Sequence, residues 1–386
     1  MRPRINNKKA DCAESFGSTY SGKKIFVSTM SGHDKSEGKF YQNVLKRLGC
    51  DVYRITSPAY GGNINKGTRA EPGFFLETSI DDLISTINAT PDLFLYVEPY
   101  GLIPKGIEQA PFATACILCD VHRDLKSRQI LSRFFDHVFL YHRNYLKDFK
   151  EHPEGHVHWF PYACDLEVFQ PLGLERDIDV AFVGQLFDAE SERSRVIKKI
   201  AARWKVNEQR LYFQHEIPGV YSRSKIVVNF PLADDLNFRF FEAMSCGALL
   251  LTRRIDNGQE ILFREGKHFA AFASEEELFN KVEFYLAHPE ERDAIADAGH
   301  AEVAARHGLD VRLEMLLEEI EKKPDKVAPV RNMSRNELDR QYAWLYEYWR
   351  SVEAGVRLVS DVRRAGRSWL PLLVPAVRSF FRGIIR

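Results

Sequence analysis

Residues 236–252 read LNFRFFEAMSCGALLLT, with an arginine and a glutamate three positions apart on a short helical stretch that stops at Gly247 and runs into an apolar strand. At 100° per residue Arg239 and Glu242 share a face with Phe238 and Cys246, while Phe240, Phe241, Ala243 and Met244 turn toward a core. The start of a helix offers free N–H groups and a partial positive charge, a ready site for phosphate. Arg239 in the first turn adds charge-assisted hydrogen bonds to the same anion, and Glu242, one turn deeper, can accept two hydrogen bonds from a ribose diol. The competing reading is an i,i+3 surface ion pair worth about a few tenths of a kcal/mol.

Other residues stand where chemistry could occur. Ser31-Gly32 follows the first apolar strand, where backbone N–H groups could approach an anion. ILCDVHRDL (117–125) sets Asp120 and His122 just beyond a strand, and Glu98 follows LFLYV. Cys116 and Cys119 form a CxxC inside an apolar run without a second pair, which argues against zinc or redox chemistry. His156 and His158, with His152 nearby, lack a carboxylate or cysteine at ligand spacing and read as structural. No GxxxxGK[ST], HExxH or GxSxG occurs, which argues against nucleotide triphosphatase, zinc-protease and serine-hydrolase chemistry.

Alternating strands and helices must position these groups. Strands are expected at 23–30, 50–55, 91–101, 112–119, 136–141 and 156–160, with helices at 37–49 and 79–89, the second capped by Ser79 or Asp81. The strands are too continuously apolar to have one wet face, so a parallel sheet covered on both sides is expected. A Pro-bearing hinge, PYACDLEVFQPLGLERD (161–177), precedes a second α/β series with strands at 178–184, 211–213, 224–230 and 248–252. A basic helix (191–204) and the helix at 237–246 lie between those strands, and helices at 275–287, 290–306 and 310–323 follow. Two doubly wound Rossmann-like units facing a cleft would gather functional residues in the loops after strands.

An ordered series of segments resembles the donor-side domain of group-1 (family 4-like) glycosyltransferases of the GT-B fold, in particular the spore-maturation CgeB-like branch. The segments are DVAFVG (179–184), NFRFFEAMSCGALLLT (237–252), FREGKHFAAFASEEEL (263–278) and YLAHPEERDAIADAGHAEVAARHGLDVR (285–312). The likeness is strong over about 180–312 and loose over the first unit. With the element pattern it implies an acceptor-side Rossmann-like domain (23–162) and a nucleotide-sugar donor domain (163–323); the residues themselves suggest a flexible leader (1–22) and a helical C-terminal extension (324–386). It implies that Glu242 is the second acid of an E-x7-E pattern and contacts ribose. The first acid falls on Asp234, facing the donor sugar, with Asp in place of the family's Glu. Arg239 and Asn237 would contact the diphosphate, joined by Gly184, by one of Arg193, Arg195 and Lys198, and by Gly32 of the first domain. Asp120 and His122 would touch donor sugar or acceptor.

The implied activity is transfer of a sugar from a nucleotide-sugar to an acceptor, a glycan or lipid-linked glycan of surface polysaccharide synthesis, with retention of configuration and with neither metal nor cofactor. The alternative is a nucleotide-sugar-binding or assembly protein of the same fold without turnover. Bulk properties bound these readings. Lys+Arg and Asp+Glu both number 54, so nucleic acid is not an expected partner. Six scattered cysteines suit reduced thiols in the cytoplasm, and residues 1–22 have no apolar h-region, so a secretory signal is not expected. In 351–386 seven Arg oppose Glu353 and Asp361 among Trp369, Leu370, Leu373 and Phe380. That pattern, over 357–386, suits peripheral contact with anionic lipid at the inner face of the plasma membrane, or a tail packed on its own domain or on a second subunit.

Overall fold

The computed structural model describes residues 20–29, 37–56, 78–98, 101–186, 188–231, 233–349 and 352–375. The first domain alternates β1 (Lys24–Ser28), α1 (Glu37–Arg47), β2 (Asp51–Ile55), α2 (Ile80–Ile87), β3 (Leu93–Val97), β4 (Ala113–Leu118), α3 (Leu125–Ser132), β5 (His137–Leu140) and β6 (Val157–Trp159). The six strands form one parallel sheet in the order β2-β1-β3-β4-β5-β6, so the winding reverses between β1 and β3. All five residues of β3 are buried, the mark of a strand covered on both faces. Ser79 is the cap of α2: its hydroxyl accepts from Asp82 N at 3.0 Å while Asp82 answers to Ser79 N, a reciprocal capping box. Tyr20 is buried in the first-domain core, so the packed body begins ahead of residue 23.

The second domain runs β7 (Ile178–Ala181), α4 (Glu192–Ala201), α5 (Ile217–Ser222), β8 (Ser224–Asn229), α6 (Phe238–Ser245), β9 (Leu249–Arg253), α7 (Gln259–Leu262) and β10 (Ala270–Phe272). Its parallel sheet is ordered β10-β9-β8-β7. An isolated parallel bridge, Val180 to Val206, extends the edge beyond β7. The chain therefore steps outward from β7 and returns to β8 on the other side, and the outer strand of this doubly wound unit is reduced to one bridge. The strand expected at 211–213 does not form: Leu211 and Phe213 are 61% and 55% exposed, Arg210 covers Tyr212, and a 3-10 turn follows at Gln214–Glu216. Among the described residues no neighbouring strand pairs with this segment.

Helices α8 (Glu275–Ala287), α9 (Pro289–Arg306) and α10 (Leu309–Lys322) follow. α10 crosses back to the first domain, packing Leu317 and Ile320 in one core with Tyr41 and Leu45 of α1, so the chain crosses the domain border twice. The extension, α11 (Arg335–Tyr348) and α12 (Val352–Arg364), covers the first sheet's other face. Tyr342, Leu345, Tyr346, Trp349, Leu358 and Val362 are buried in one cluster with Phe134 and Phe135. Up to residue 375 the tail is thus packed on its own domain, with Leu372 buried and Leu370, Leu373 and Val374 exposed. Among the described residues no helix is long and apolar enough to cross a membrane, and the five described cysteines are buried.

Candidate functional site

Both parallel sheets direct the ends of their strands at a shared cleft, where a pocket of about 290 Å³ is lined by the two domains. The second domain supplies two guanidinium groups. Arg239, in the first turn of α6, donates from Nε to Val183 O at 2.8 Å and from Nη1 to Asn229 Oδ1 at 2.7 Å. Gly184 makes room for it, since a Cβ there would stand 2.6 Å from Arg239 Nη2. Arg193, on α4, donates from Nε and Nη2 to Phe230 O at 3.0 and 2.9 Å. Both lie against the Phe182 ring, at 5.6 Å for Arg193 and 4.8 Å for Arg239. Among the described residues neither has a carboxylate in ion-pair contact. Burial, with the neighbouring Arg239 charge, pushes the Arg193 guanidinium down to about 10. Two adjacent cations anchored on neutral oxygens form a site short of negative charge.

α6 forms because Phe240, Phe241, Ala243 and Met244 are all fully buried against α9 and β9, and it ends where Gly247 adopts φ 76°. Asn237 is its N-cap, yet the side chain makes no capping bond. Instead Asn237 Nδ2 donates to Asn229 Oδ1 at 3.2 Å, and Asn237 Oδ1 is buried without a partner. The first N–H groups of the helix therefore keep no side-chain acceptor of Asn237. Glu242 lines the pocket at 7% exposure. Burial pushes its carboxyl up to about 7, against the opposing pull of Arg239. The site thus joins a region that wants an anion to a buried carboxyl that wants hydrogen-bond donors.

From the first domain come Asp120, His122 and Arg123. Asp120 holds the left-handed conformation at φ 47°, which turns the chain sharply out of β4, and pairs with Arg123 at 3.5 Å. His122 Nδ1 lies 3.2 Å from His142 Nε2, and burial, then His142, lower its pKa. Glu98 stands behind this loop rather than in the pocket. It is buried, accepts from Cys119 N at 2.9 Å and pairs with Arg128 at 2.9 Å; burial still pushes it up to about 7.

Several expected residues lie elsewhere. Asp234 does not line the pocket: its Oδ1 accepts from Asp256 N at 2.7 Å, bracing the β8–α6 loop against the loop after β9. The adjacent Asp235 lines the pocket instead. Of the three basic residues of α4 expected as phosphate partners, Arg193 reaches the pocket, while Arg195 and Lys198 are exposed. Gly32 lies outside the described residues. His152 and His156 are occupied by carbonyls of Ser132, Phe135 and Asp136. Among the described residues no group of three His, Cys, Asp or Glu side chains could hold a metal ion. His142 and Asp235 are site residues that sequence reasoning missed. His142 follows a strand just as His122 does, and Asp235 is the second of two consecutive aspartates that residue counting alone separates arbitrarily.

Comparison with known proteins places this geometry. Residues 167–318 match the family described as glycosyl transferase-like. Nothing matches among curated proteins. Among solved structures, a glycosyltransferase from Rickettsia africae aligns with TM-score 0.55 at 11% identity, over 79% of this chain and all of that one. An alpha-glucosyltransferase in complex with UDP-glucose and DNA containing an abasic site aligns with TM-score 0.57 at 11% identity, over 77% and 99%. Anabaena HepE in complex with UDP and glucose aligns with TM-score 0.52 at 12% identity, over 78% and 100%. The chain therefore has the two-domain GT-B fold, and its residues 167–318 are similar to the glycosyl transferase-like family.

Proposed function

We propose that this protein transfers a glycosyl group from a nucleotide-sugar to an acceptor bound across the cleft. The observation that carries the reading is the pair Arg193 and Arg239, packed at Phe182 with only neutral oxygens as partners and opening on the same pocket as buried Glu242. A donor diphosphate supplies the missing negative charge, and a ribose diol supplies two hydrogen-bond donors to Glu242. The sugar then projects toward His122, Asp120 and Asp235. As the glycosidic bond to the diphosphate breaks, charge grows on the leaving oxygen. Two guanidinium groups and the start of α6 are already in place to stabilise it, so the reading calls on no metal. UDP- and UDP-glucose-bound relatives of the same fold, and the family match over the second domain, support it. Retention of configuration and a glycan or lipid-linked acceptor are further parts of the proposal, which rest on the sequence likeness.

The test is calorimetric titration of the full chain with UDP, GDP and dTDP and their sugars, followed by turnover with whichever donor binds. Arg239→Ala should weaken nucleotide-sugar binding by about 10- to 100-fold, the scale of losing a charge-assisted contact to phosphate. Unchanged binding in Arg239→Ala and Glu242→Ala would overturn the assignment, and binding without transfer or donor hydrolysis would favour a module without turnover. Membrane contact at the inner face is proposed for the exposed Leu370, Leu373 and Val374 beside Arg363 and Arg364. Leu370→Glu with Val374→Glu should abolish co-sedimentation with anionic vesicles while leaving the buried side of the extension intact; undiminished co-sedimentation would refute this contact.

A further inference from the structure

His142 is not in the pocket lining, yet it sits between the two residues that face each other across the cleft. Its side chain is 1% exposed, and its Nδ1 is buried without a partner. Its Nε2 lies 3.2 Å from His122 Nδ1 and 3.3 Å from Asp235 Oδ1. One ring nitrogen of the first domain therefore meets a histidine of its own domain and a carboxylate of the other. A ring nitrogen carries a proton or a lone pair, never both, so this contact fixes where the protons are.

Asp235 can only accept, and its Oδ1 is buried without a hydrogen-bond partner; it stands 3.3 Å from His142 Nε2 as a charge beside the ring nitrogen rather than as a bonded acceptor. A carboxylate at that distance favours a proton over a lone pair on Nε2 of His142, and the bond that proton makes is to His122 Nδ1. That choice leaves His142 Nδ1 as a bare lone pair in apolar surroundings, whereas the opposite tautomer would bury an unpaired N–H and set two acceptors face to face. His122 Nδ1 faces the same protonated nitrogen, so it too must be a lone pair. The proton of neutral His122 consequently sits on Nε2.

We propose that His142 is a positioning residue that, under the charge of Asp235, holds His122 as the neutral Nε2–H tautomer, a hydrogen-bond donor rather than a base toward whatever occupies the pocket. The proposal rests on the donor reading above only for the identity of that occupant. His122 faces Asp120 and Arg123 of its own turn, His142 from the segment after β5, and Asp235 from the β8–α6 loop. Burial and His142 lower its pKa, which keeps it neutral near pH 7.

The experiment is a long-range ¹H–¹⁵N spectrum of the full chain labelled at histidine, at pH 7.5, for the wild type, His142→Phe and Asp235→Asn. The wild type should show His122 with its proton on Nε2, and both variants should show a mixture of the two tautomers. The His122 titration should move up in His142→Phe and down in Asp235→Asn, since the neighbours removed act in opposite senses. The kcat for transfer should fall about 10-fold in each, with UDP affinity of His142→Phe unchanged because Arg193, Arg239 and Glu242 are untouched. An unchanged tautomer ratio in Asp235→Asn, whose side chain is partly exposed and can be replaced without emptying a core, overturns the proposal even if His142→Phe does not fold. Failure of UDP to bind the wild type, with the tautomers responding as stated, would overturn the donor reading and leave the His142 relay standing.

Discussion

Glu242 shows how a binding group can cost stability in the empty protein. Burial pushes its carboxyl up to about 7 from an ordinary 4.5, so the folded state holds a proton that the unfolded chain releases. The sign follows directly: the folded state is least penalised below pH 4.5, and the penalty grows as pH rises to 7 and then levels off. Glu242→Gln, neutral at every pH, should therefore unfold at higher urea than the wild type at pH 8. The gain is on the order of 1–3 kcal/mol and should vanish near pH 4.5. The same substitution should weaken UDP binding by about 10-fold or more, because an amide accepts from a ribose diol less strongly than a carboxylate. Equal urea midpoints at pH 8 would show that the carboxyl is not held in a desolvated site.

At the scale of elements, the loop that presents Asp120 and His122 is held from behind by three segments. Glu98 at the end of β3 accepts the Cys119 N–H, Arg128 of α3 pairs with it, and Tyr348 at the end of α11 donates to it at 3.4 Å. Removing Arg128 leaves a buried carboxyl that can answer by taking up a proton. Arg128→Met should therefore destabilise by about 1–2 kcal/mol at pH 6.5 and by more, about 3–5 kcal/mol, at pH 8.5, where the carboxyl is forced to ionise. A loss that is the same at both pH values would contradict a protonatable Glu98.

Much of this framework is legible in the sequence. Runs such as LFLYV and ALLLT are too apolar and too short for anything but buried strands, and Gly247 stops α6 where its φ demands. The strand at 211–213 is not legible because alternating Leu-Tyr-Phe fits an edge strand equally well, and only the missing neighbour decides. Whether Asp234 or Asp235 enters the pocket depends on the path of an irregular loop, which no residue spacing encodes. The burial of the extension is likewise a tertiary fact: Tyr342 and Trp349 read as an aromatic helix, but the face of the first domain that they cover is assembled from residues about 200 positions earlier.

For the whole molecule, two opposed sets of buried groups contribute to the response to acid, beside His307, which burial also pushes down to about 4. His137 and His158, stacked where β5 and β6 meet the turn from α10 into the extension, are pushed down to about 4 by burial; His137 Nε2 bonds Lys323 O at 2.8 Å. A histidine lowered in the folded state leaves stability whole above the unfolded value near 6.5 and erodes it as pH falls toward 4. Glu98 and Glu242, both raised to about 7, act the other way and favour the folded state as pH falls from 7 to 4.5. Between pH 7.5 and 5 each group is worth about 2 kcal/mol, so the two pairs largely offset one another. His137→Phe keeps an aromatic ring beside Phe139 but cannot be protonated, and loses the Lys323 bond at every pH, so its slope rather than its level is informative. Urea unfolding at the two pH values should show the His137→Phe chain gaining about 2 kcal/mol on acidification relative to wild type. The Glu98→Gln chain should lose about the same, and shifts of one sign in both variants would mean that charge elsewhere governs the acid response.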